Sequence, residues 1–255
     1  RPSPRGFKVI DAFSRIIRLG EGVSASRRLS QEAIERTIDA LKICAAKIRH
    51  HRVVRAGLIA TEACRLADDA SHFLHRVREE TDLDIKVVSR EAEARLAVSG
   101  CASLIDASSD LALVFDIGGG SSELIWLDLE GYKRRSRTQY IDRLEMQNCI
   151  VAWTSLPVGV VTLAERYGGR FVDDATFQAM VADIQAMLAP FEAEHHLRER
   201  MEARNTHLLG TSGTVTTLAG VHLGLPRYDR RPAGGCGLHT AHARAVTDLL
   251  LKATH

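Results

Sequence analysis

Residues Leu113–Ile125, with the sequence LVFDIGGGSSELI, decide the fold. An apolar run ends in Asp116 and passes directly into three glycines, two serines and Glu123. A turn that only reverses the chain needs one glycine, or an Asn-Gly pair, to supply positive φ. Three consecutive glycines instead remove every side chain from a short segment and leave its backbone N–H groups accessible. That arrangement favours an anionic ligand, most often phosphate.

The same stretch predicts a strand, a turn and a returning strand. Residues 111–115 lead into the turn, and residues 123–129 continue as the second arm of a hairpin. The turn lacks the Lys-Ser/Thr ending of a P-loop and the spaced glycines of a dinucleotide fingerprint. Asp116 and Glu123, on the same edge, form a candidate Mg²⁺ site, since Mg²⁺ usually takes one or two carboxylates beside phosphate oxygens. A tight hairpin with a solvated carboxylate on either side is the alternative interpretation.

A second turn of this kind lies at residues 210–214, with the sequence GTSGT. Residues 207–209 predict a strand, and a helix is predicted from Val215. The amides and hydroxyls of the turn would then lie at the positive end of the helix dipole, where phosphate binds readily. The alternative is that Ser212 or Thr214 only caps the helix.

Two further segments carry charged side chains just after predicted strands. In residues 89–96, SREAEARL, one of the glutamates is a candidate base that takes a proton from water. The alternative is that Glu91 and Glu93 only complement the helix dipole. In residues 60–65, ATEACR, Arg65 is a candidate clamp for phosphate oxygens, or an ordinary surface arginine.

Along the chain, predicted strands alternate with predicted helices, which is typical of an α/β fold. Ser30 is predicted to cap a helix whose apolar residues recur at helical spacing. Short strands are predicted over residues 53–59 and 85–88, and a long helix over residues 173–194.

Bulk composition restricts the class of protein. The 255 residues are 45% hydrophobic and 26% charged, which is ordinary for a globular protein. A formal net charge of +2 gives no indication of a nucleic-acid partner. Five scattered cysteines without a Cys-x-x-Cys pair are typical of reduced thiols. With no signal peptide and no apolar run long enough to span a bilayer, we expect a cytoplasmic location and no membrane partner.

Taken in order, five segments resemble motifs of the exopolyphosphatase and guanosine pentaphosphate phosphohydrolase family. These segments, spread over nearly the whole chain, are residues 60–65, 93–96, 114–124, 155–159 and 210–214. The resemblance implies an α/β fold of two ribonuclease-H-like domains with the active site in the cleft between them. Such a fold is similar to that of actin, the sugar kinases and the heat-shock chaperone ATPases. The polar segment at residues 106–110 predicts the boundary, which divides the chain into residues 1–109 and 110–255.

The family resemblance also implies a role for each motif residue. Glu93, just before an Ala-Arg pair, is implied as the catalytic base, and Arg65 as the phosphate-facing arginine. Asp116 and Glu123 are implied as the carboxylates that organise Mg²⁺ (or Mn²⁺) and water. The implied phosphate-binding residues are Gly118, Gly119, Gly120 and Ser121 in the first loop, and Ser212, Gly213 and Thr214 in the second.

Three features of the sequence depart from the family pattern. Nothing upstream of residues 8–11 matches the Asp-Ile-Gly-Ser-Asn type phosphate loop of the family, so we expect the first domain to lack its N-terminal hairpin. The family also extends beyond the point where this sequence ends. We expect a fragment of a longer protein, and the alternative is a family member that has lost much of its activity. Ala92 stands where the family usually has the first glutamate of a pair, and Arg90 where it usually has glycine.

These observations predict hydrolysis of a terminal phosphoanhydride bond, with water as the acceptor. The expected substrates are inorganic polyphosphate or guanosine pentaphosphate, which the sequence does not separate. The oligomeric state stays open, with a homodimer among the options. One alternative is a phosphotransferase of the same superfamily. The other is a sensor that binds a phosphate chain or alarmone without turnover.

Overall fold

The structure, a computed structural model, describes residues 2–3, 6–7, 9–135, 145–169, 172–227 and 229–253. By packing, the chain divides into two compact units, Arg1–Val88 and Ser89–His255. Both units combine strands with helices, as the sequence predicts for an α/β fold. The predicted boundary between residues 109 and 110 lies within the second unit, because the helix that precedes it packs on the sheet that follows it. As a division between family domains it stays a prediction.

The first unit combines short strands with two longer helices. Its elements, in chain order, are β1 (Pro2–Ser3), β2 (Gly6–Phe7), α1 (Val23–Ser26), α2 (Gln31–His50), β3 (Ile59–Ala60), α3 (Glu62–Leu66), α4 (Ala70–Thr81) and β4 (Lys86–Val87). Strands β1 and β2 are antiparallel, whereas β3 and β4 are parallel. Helices α2 and α4 share a core that contains the fully buried side chains of Ile38, Phe73 and Val77.

One prediction for this unit is confirmed and one is wrong. The Ser30 hydroxyl accepts a hydrogen bond from the N–H of Ala33 at 3.2 Å and so caps α2. The strand predicted over residues 53–59 is wrong, because only its last residue, Ile59, is in a strand. Val54 is 94% exposed, so its β-branched side chain has no sheet surface to pack on and its strand propensity is not realised.

The second unit is built on a four-stranded sheet. Its helices and strands, in chain order, are α5 (Arg90–Cys101), β5 (Leu111–Ile117), β6 (Ser122–Asp128), α6 (Glu130–Arg135), β7 (Ile150–Leu156), α7 (Val160–Arg166), α8 (Asp174–His195), α9 (Leu197–Ala203), β8 (Thr206–Thr211), α10 (Ser212–His222), α11 (Arg230–Ala233) and α12 (Thr240–Lys252). The strand order is β7-β6-β5-β8. Strands β5, β6 and β7 form an antiparallel meander, and β8 runs parallel to β5.

Both faces of this sheet are covered, and alternate residues of β5 face opposite sides. Ala112 and Val114 pack with Val98 of α5 in one core cluster. Leu111 packs with Phe191 of α8 in another. The helix that follows β8 begins at Ser212, earlier than predicted, so residues 212–214 form its first turn and are not a loop. In the part of the chain that the structure describes, no helix is both long and apolar enough to cross a membrane.

Candidate active site

A row of polar side chains crosses one end of the sheet in the second unit. Asp116 of β5 is directly opposite Glu123 of β6, which is directly opposite Ser155 of β7. On the other side, Asp116 is opposite Thr211 of β8. Directly opposite residues share a face, so these four side chains lie next to one another. The structure therefore brings the two predicted metal-binding carboxylates together and adds two hydroxyls that were not predicted as site residues.

Glu123 is an almost fully buried carboxylate, with 2% of its surface exposed. Burial raises the pKa of this group, and the negative charges of Glu93 and Asp116 act in the same direction. Hydrogen bonds from Ser155 and Ser121 have the opposite effect, because they stabilise the ionised form. The Ser155 hydroxyl donates to Oε1 of Glu123 at 2.8 Å. Ser121, predicted as a phosphate ligand, thus has its hydroxyl directed at Glu123.

Asp116 is the second carboxylate of the row and is partly buried. Burial raises its pKa above the usual range, and a hydrogen bond from the side chain of Thr211 acts against this shift. Two carboxylates side by side, both with raised pKa values, form a site whose charges are not balanced by the neighbouring side chains named above. A cation bound between them would provide that balance.

Glu93 lies in the first turn of α5, on the side of the helix that packs on the sheet. Ala97 and Cys101, which follow Glu93 by four and eight residues on the same side of the helix, both pack in the core cluster below α5. Its charge is close enough to Glu123 to raise the pKa of that group. The predicted base is therefore near the carboxylate pair.

Glu91, the competing candidate for the base, faces solvent. Its side chain is 53% exposed and pairs with Arg95 one helical turn away, at 3.0 Å. Such exposed ion pairs contribute little to stability. This pair keeps the Glu91 carboxylate on the surface of the helix. The geometry of α5 thus favours Glu93 over Glu91 as the candidate base, a choice that the residue pattern alone left open.

The glycine loop is a narrow turn between β5 and β6. Ile117 pairs with Ser122, and the N–H of Gly118 donates to the carbonyl of Ser121 at 2.9 Å. Neither Gly118 nor Gly119 has a positive φ, so backbone conformation is not the reason for glycine at these positions. A Cβ on Gly118 would lie 3.1 Å from the Ser121 carbonyl oxygen, a tight contact within the turn, whereas a Cβ on Gly119 would meet only the Val161 side chain, at an ordinary 3.5 Å.

The carbonyl groups of this loop point at the start of α7. Val160 N–H donates to the Gly118 carbonyl at 3.0 Å, and Val161 N–H to the Gly119 carbonyl at 2.9 Å. In a trans peptide the next N–H points the opposite way, so the amides of Gly119 and Gly120 point away from α7. The start of α7 thus sets the direction in which the loop offers its hydrogen-bond donors.

Gly159, at the N-cap of α7, permits this close approach. A Cβ at residue 159 would lie 2.5 Å from the Gly118 carbonyl oxygen and 2.5 Å from the Gly119 carbonyl carbon. These are backbone atoms that no side-chain rotation can move away. The glycine of the predicted motif at residues 155–159, SLPVG, is therefore required by packing against the glycine loop, which the sequence alone did not reveal.

We expect Gly159→Ala to displace the glycine loop. The clash should lower stability by about 1–3 kcal/mol, the usual cost of overpacking, and should raise KM for a phosphate-chain substrate. Thermal unfolding and steady-state kinetics measure the two effects. Gly100→Ala is the control, because a Cβ there meets nothing within 4 Å and alanine is the better helix former. A Gly159→Ala variant with unchanged Tm and KM would contradict this role for Gly159.

The second predicted phosphate loop lies beside the first. The Ser212 hydroxyl donates to the carbonyl of Ile117, the residue just before the glycine loop, at 2.7 Å. Ser212 has a φ of 80°, a left-handed conformation that is uncommon and strained for serine. A Cβ on Gly213 would meet nothing within 4 Å, so this turn borders open space. The structure therefore brings both loops to the end of β5.

Arg65 lies in the first unit, in a largely buried ion pair. Its Nε donates to Oε2 of Glu62 at 2.9 Å, and its Nη1 donates to the carbonyl of Val88 at 2.9 Å. Its side chain is 13% exposed, so it is not an ordinary surface arginine. Its role as a phosphate clamp stays a prediction.

The donor set at Asp116 and Glu123 fits a hard divalent cation. Among the described residues, no group of three or more His, Cys, Asp and Glu side chains is arranged to hold a metal ion. Mg²⁺ needs only one or two carboxylates, since water and substrate phosphate supply its other ligands. Carboxylate oxygens suit Mg²⁺ and Mn²⁺ and give no preference to softer metals.

We expect Glu123→Gln to stabilise the metal-free protein at neutral pH. Because the pKa of Glu123 is raised, folding favours the protonated carboxyl, and stability falls as pH rises from the usual glutamate pKa through the raised value. Glutamine remains uncharged and retains an oxygen that accepts from Ser155. In a chelator, the Tm of Glu123→Gln should exceed that of the unmodified chain near pH 7.5, and the difference should shrink near about pH 4. A lower Tm for Glu123→Gln than for the unmodified chain at neutral pH would contradict the inference that the buried negative charge of Glu123 destabilises the fold.

Comparison with known proteins assigns the chain to a family. The profile of the Ppx/GppA phosphatase family matches residues 2–231, so the chain belongs to this family, as its motifs predict. A bifunctional 3-dehydroquinate synthase/phosphatase of Fusobacterium nucleatum is 28% identical over 219 residues, which cover 84% of this chain and 30% of that protein. A guanosine-5'-triphosphate,3'-diphosphate pyrophosphatase of Photobacterium profundum is 30% identical over 212 residues, which cover 83% of this chain and 38% of that protein. The chain therefore spans only about a third of the length of these curated relatives.

A solved structure confirms the α/β fold class. The crystal structure of an exopolyphosphatase-like protein matches with a TM-score of 0.75 at 26% sequence identity. The match covers 98% of this chain and 73% of that chain. Nearly all of the chain thus has a counterpart in the fold of that protein.

Proposed function

We propose that the protein hydrolyses the terminal phosphoanhydride bond of a linear phosphate chain, with Mg²⁺ or Mn²⁺ at Asp116 and Glu123. One observation carries this proposal: Glu93, Asp116 and Glu123 converge where two phosphate-type turns meet at the end of β5. Phosphoryl transfer depends mainly on positioning and charge stabilisation, which a site of this composition can supply.

In this proposal each group at the site has a distinct task. Glu93 takes the proton from the water that attacks the end phosphate, because it lies on the sheet side of α5 next to the carboxylate pair. Asp116 and Glu123, directly opposite each other on β5 and β6, would hold a divalent cation. That cation would supply charge neutralisation for the transferred and leaving phosphates.

The two turns are proposed to bind the phosphate groups through backbone amides. Gly119 and Gly120 offer N–H groups that point away from α7. The first turn of α10 adds amides that have no partner within the helix, at the positive end of its dipole. Ser121 and Ser212 contribute mainly through their backbone, since their hydroxyls are bonded within the protein. Arg65 retains the phosphate-facing role that the family resemblance implies.

The proposed substrate class is a linear phosphate chain with a free end. One relative is named for a guanosine-5'-triphosphate,3'-diphosphate substrate, and one similar solved structure is named exopolyphosphatase-like. Inorganic polyphosphate and guanosine pentaphosphate share the terminal phosphoanhydride on which this site would act. Both substrates are therefore kept in the proposal.

Release of inorganic phosphate without an added acceptor tests the proposal. We expect the protein to release phosphate from polyphosphate or guanosine pentaphosphate in a buffer that contains Mg²⁺. Release only after an acceptor is added would favour the phosphotransferase. Binding of either substrate without any release would favour the sensor. Either of these outcomes would overturn the proposal that the protein is a hydrolase.

We also propose a cytoplasmic location. All five cysteines lie in the described part of the chain, none of them forms a disulfide bond and three are buried, which fits a reducing compartment. Burial raises the pKa of the Cys64 and Cys101 thiols to about 11, so both are inert at neutral pH. A homodimer and the absence of a nucleic-acid partner stay predictions.

A further inference from the structure

Ser155 of β7 contacts Glu123 on the side away from Asp116. The two residues are directly opposite in the β6–β7 pair, and the Ser155 hydroxyl donates to Oε1 of Glu123 at 2.8 Å. Asp116 is opposite Glu123 on the other neighbouring strand. Glu123 therefore lies between a hydroxyl and a second carboxylate.

This arrangement constrains a side chain that would otherwise have several positions. A glutamate has more rotamers than an aspartate, and repulsion between like charges pushes Glu123 away from Asp116. Two charges must nevertheless converge to share one cation. The hydrogen bond from Ser155 fixes Oε1 of Glu123, and the Ser121 hydroxyl adds a second bond from the glycine loop. Two hydrogen bonds still leave lone pairs on the carboxylate available to a metal ion. Ser155 belongs to a strand within the sheet, so its own position is fixed by the β6–β7 pairing.

We infer that Ser155 is a positioning residue, which holds Glu123 in the orientation that binds a divalent cation together with Asp116. This inference rests on the proposed function, because it concerns the metal that the proposed reaction uses. A hydroxyl that orients a metal ligand belongs to the outer shell of the site, and loss of such a partner typically weakens metal binding about 10–100-fold. Nothing in the motif SLPVG indicates this role, since the contact depends on which strands are neighbours.

Mn²⁺ binding, measured by electron paramagnetic resonance of the free ion, tests the inference without substrate or turnover. We expect Ser155→Ala to weaken Mn²⁺ binding about tenfold. Ser155→Thr should restore it, because threonine keeps the hydroxyl and suits a strand. Thr154→Val is the matched control: Thr154 is the neighbouring residue on β7, pairs with Leu124, and lies on the opposite face of the sheet.

Thermal unfolding of each variant separates metal binding from folding. A Ser155→Ala variant that unfolds like the unmodified chain but binds Mn²⁺ more weakly supports the inference. Equal Mn²⁺ affinity in Ser155→Ala and the unmodified chain would overturn it, while phosphate release by the unmodified chain would leave the proposed function intact. If the unmodified chain binds no Mn²⁺, the metal site of the proposed function and this inference are both wrong.

Discussion

Replacing Glu93 with glutamine is expected to lower the rate of phosphate release by about a hundredfold to ten-thousandfold, the usual cost of losing a general base. Glutamine has nearly the same shape but cannot take a proton from water. Since Glu93 is not among the groups that hold the phosphate chain, polyphosphate binding should be almost unchanged. Single-turnover phosphate release and a binding titration separate the two effects.

Glu91→Gln is the matched control for this experiment. Glu91 lies two residues earlier on α5, but its exposed side chain pairs with Arg95 on the helix surface. This substitution should leave phosphate release nearly unchanged, since a surface ion pair contributes at most about 1 kcal/mol to stability. Near-normal turnover in Glu93→Gln would remove Glu93 from the mechanism, and loss of turnover in Glu91→Gln would make Glu91 the base.

Removing divalent metal is expected to reduce phosphate release to background. Asp116 and Glu123 are opposed carboxylates with raised pKa values, and without a cation they would repel the phosphate chain. A bound metal contributes several kcal/mol of charge stabilisation in reactions of this kind. Activity should disappear in chelator and return when Mg²⁺ or Mn²⁺ is added in excess.

Asp116→Asn links this requirement to the carboxylate pair. Asparagine is close in shape to aspartate but has no charge, so the variant should need much more metal for the same rate. A sample with chelator that was first saturated with Mg²⁺ is the control for effects of the chelator itself. Full turnover in free chelator, or an Asp116→Asn variant with an unchanged metal requirement, would count against the metal assignment.

Local sequence was sufficient to predict the features that depend on short-range geometry. The Ser30 cap, the helix after Asp173 and the hairpin around the glycine loop are set by residues close together in the chain. That hairpin also places Asp116 opposite Glu123, because a narrow turn fixes the register of both arms. The carboxylate pair could thus be predicted.

Other features depend on which elements become neighbours in space. Ser155 and Thr211 join the row only because β7 and β8 flank the hairpin, and no local pattern encodes that strand order. The demand for glycine at residue 159 likewise comes from the close approach of α7 to the glycine loop. The strand predicted at residues 53–59 is wrong for the same reason. Its β-branched residues have no neighbouring sheet to pack on, so they do not form a strand.

Hydrolysis in heavy-oxygen water, with no acceptor present, tests the central claim most directly. If water attacks the end phosphate of the chain, each inorganic phosphate released from polyphosphate in a single turnover should carry one heavy oxygen atom, measured by mass spectrometry. The shortened chain should carry none at its new end. Unlabelled phosphate, label in the shortened chain, or no release until an acceptor is added would contradict the account.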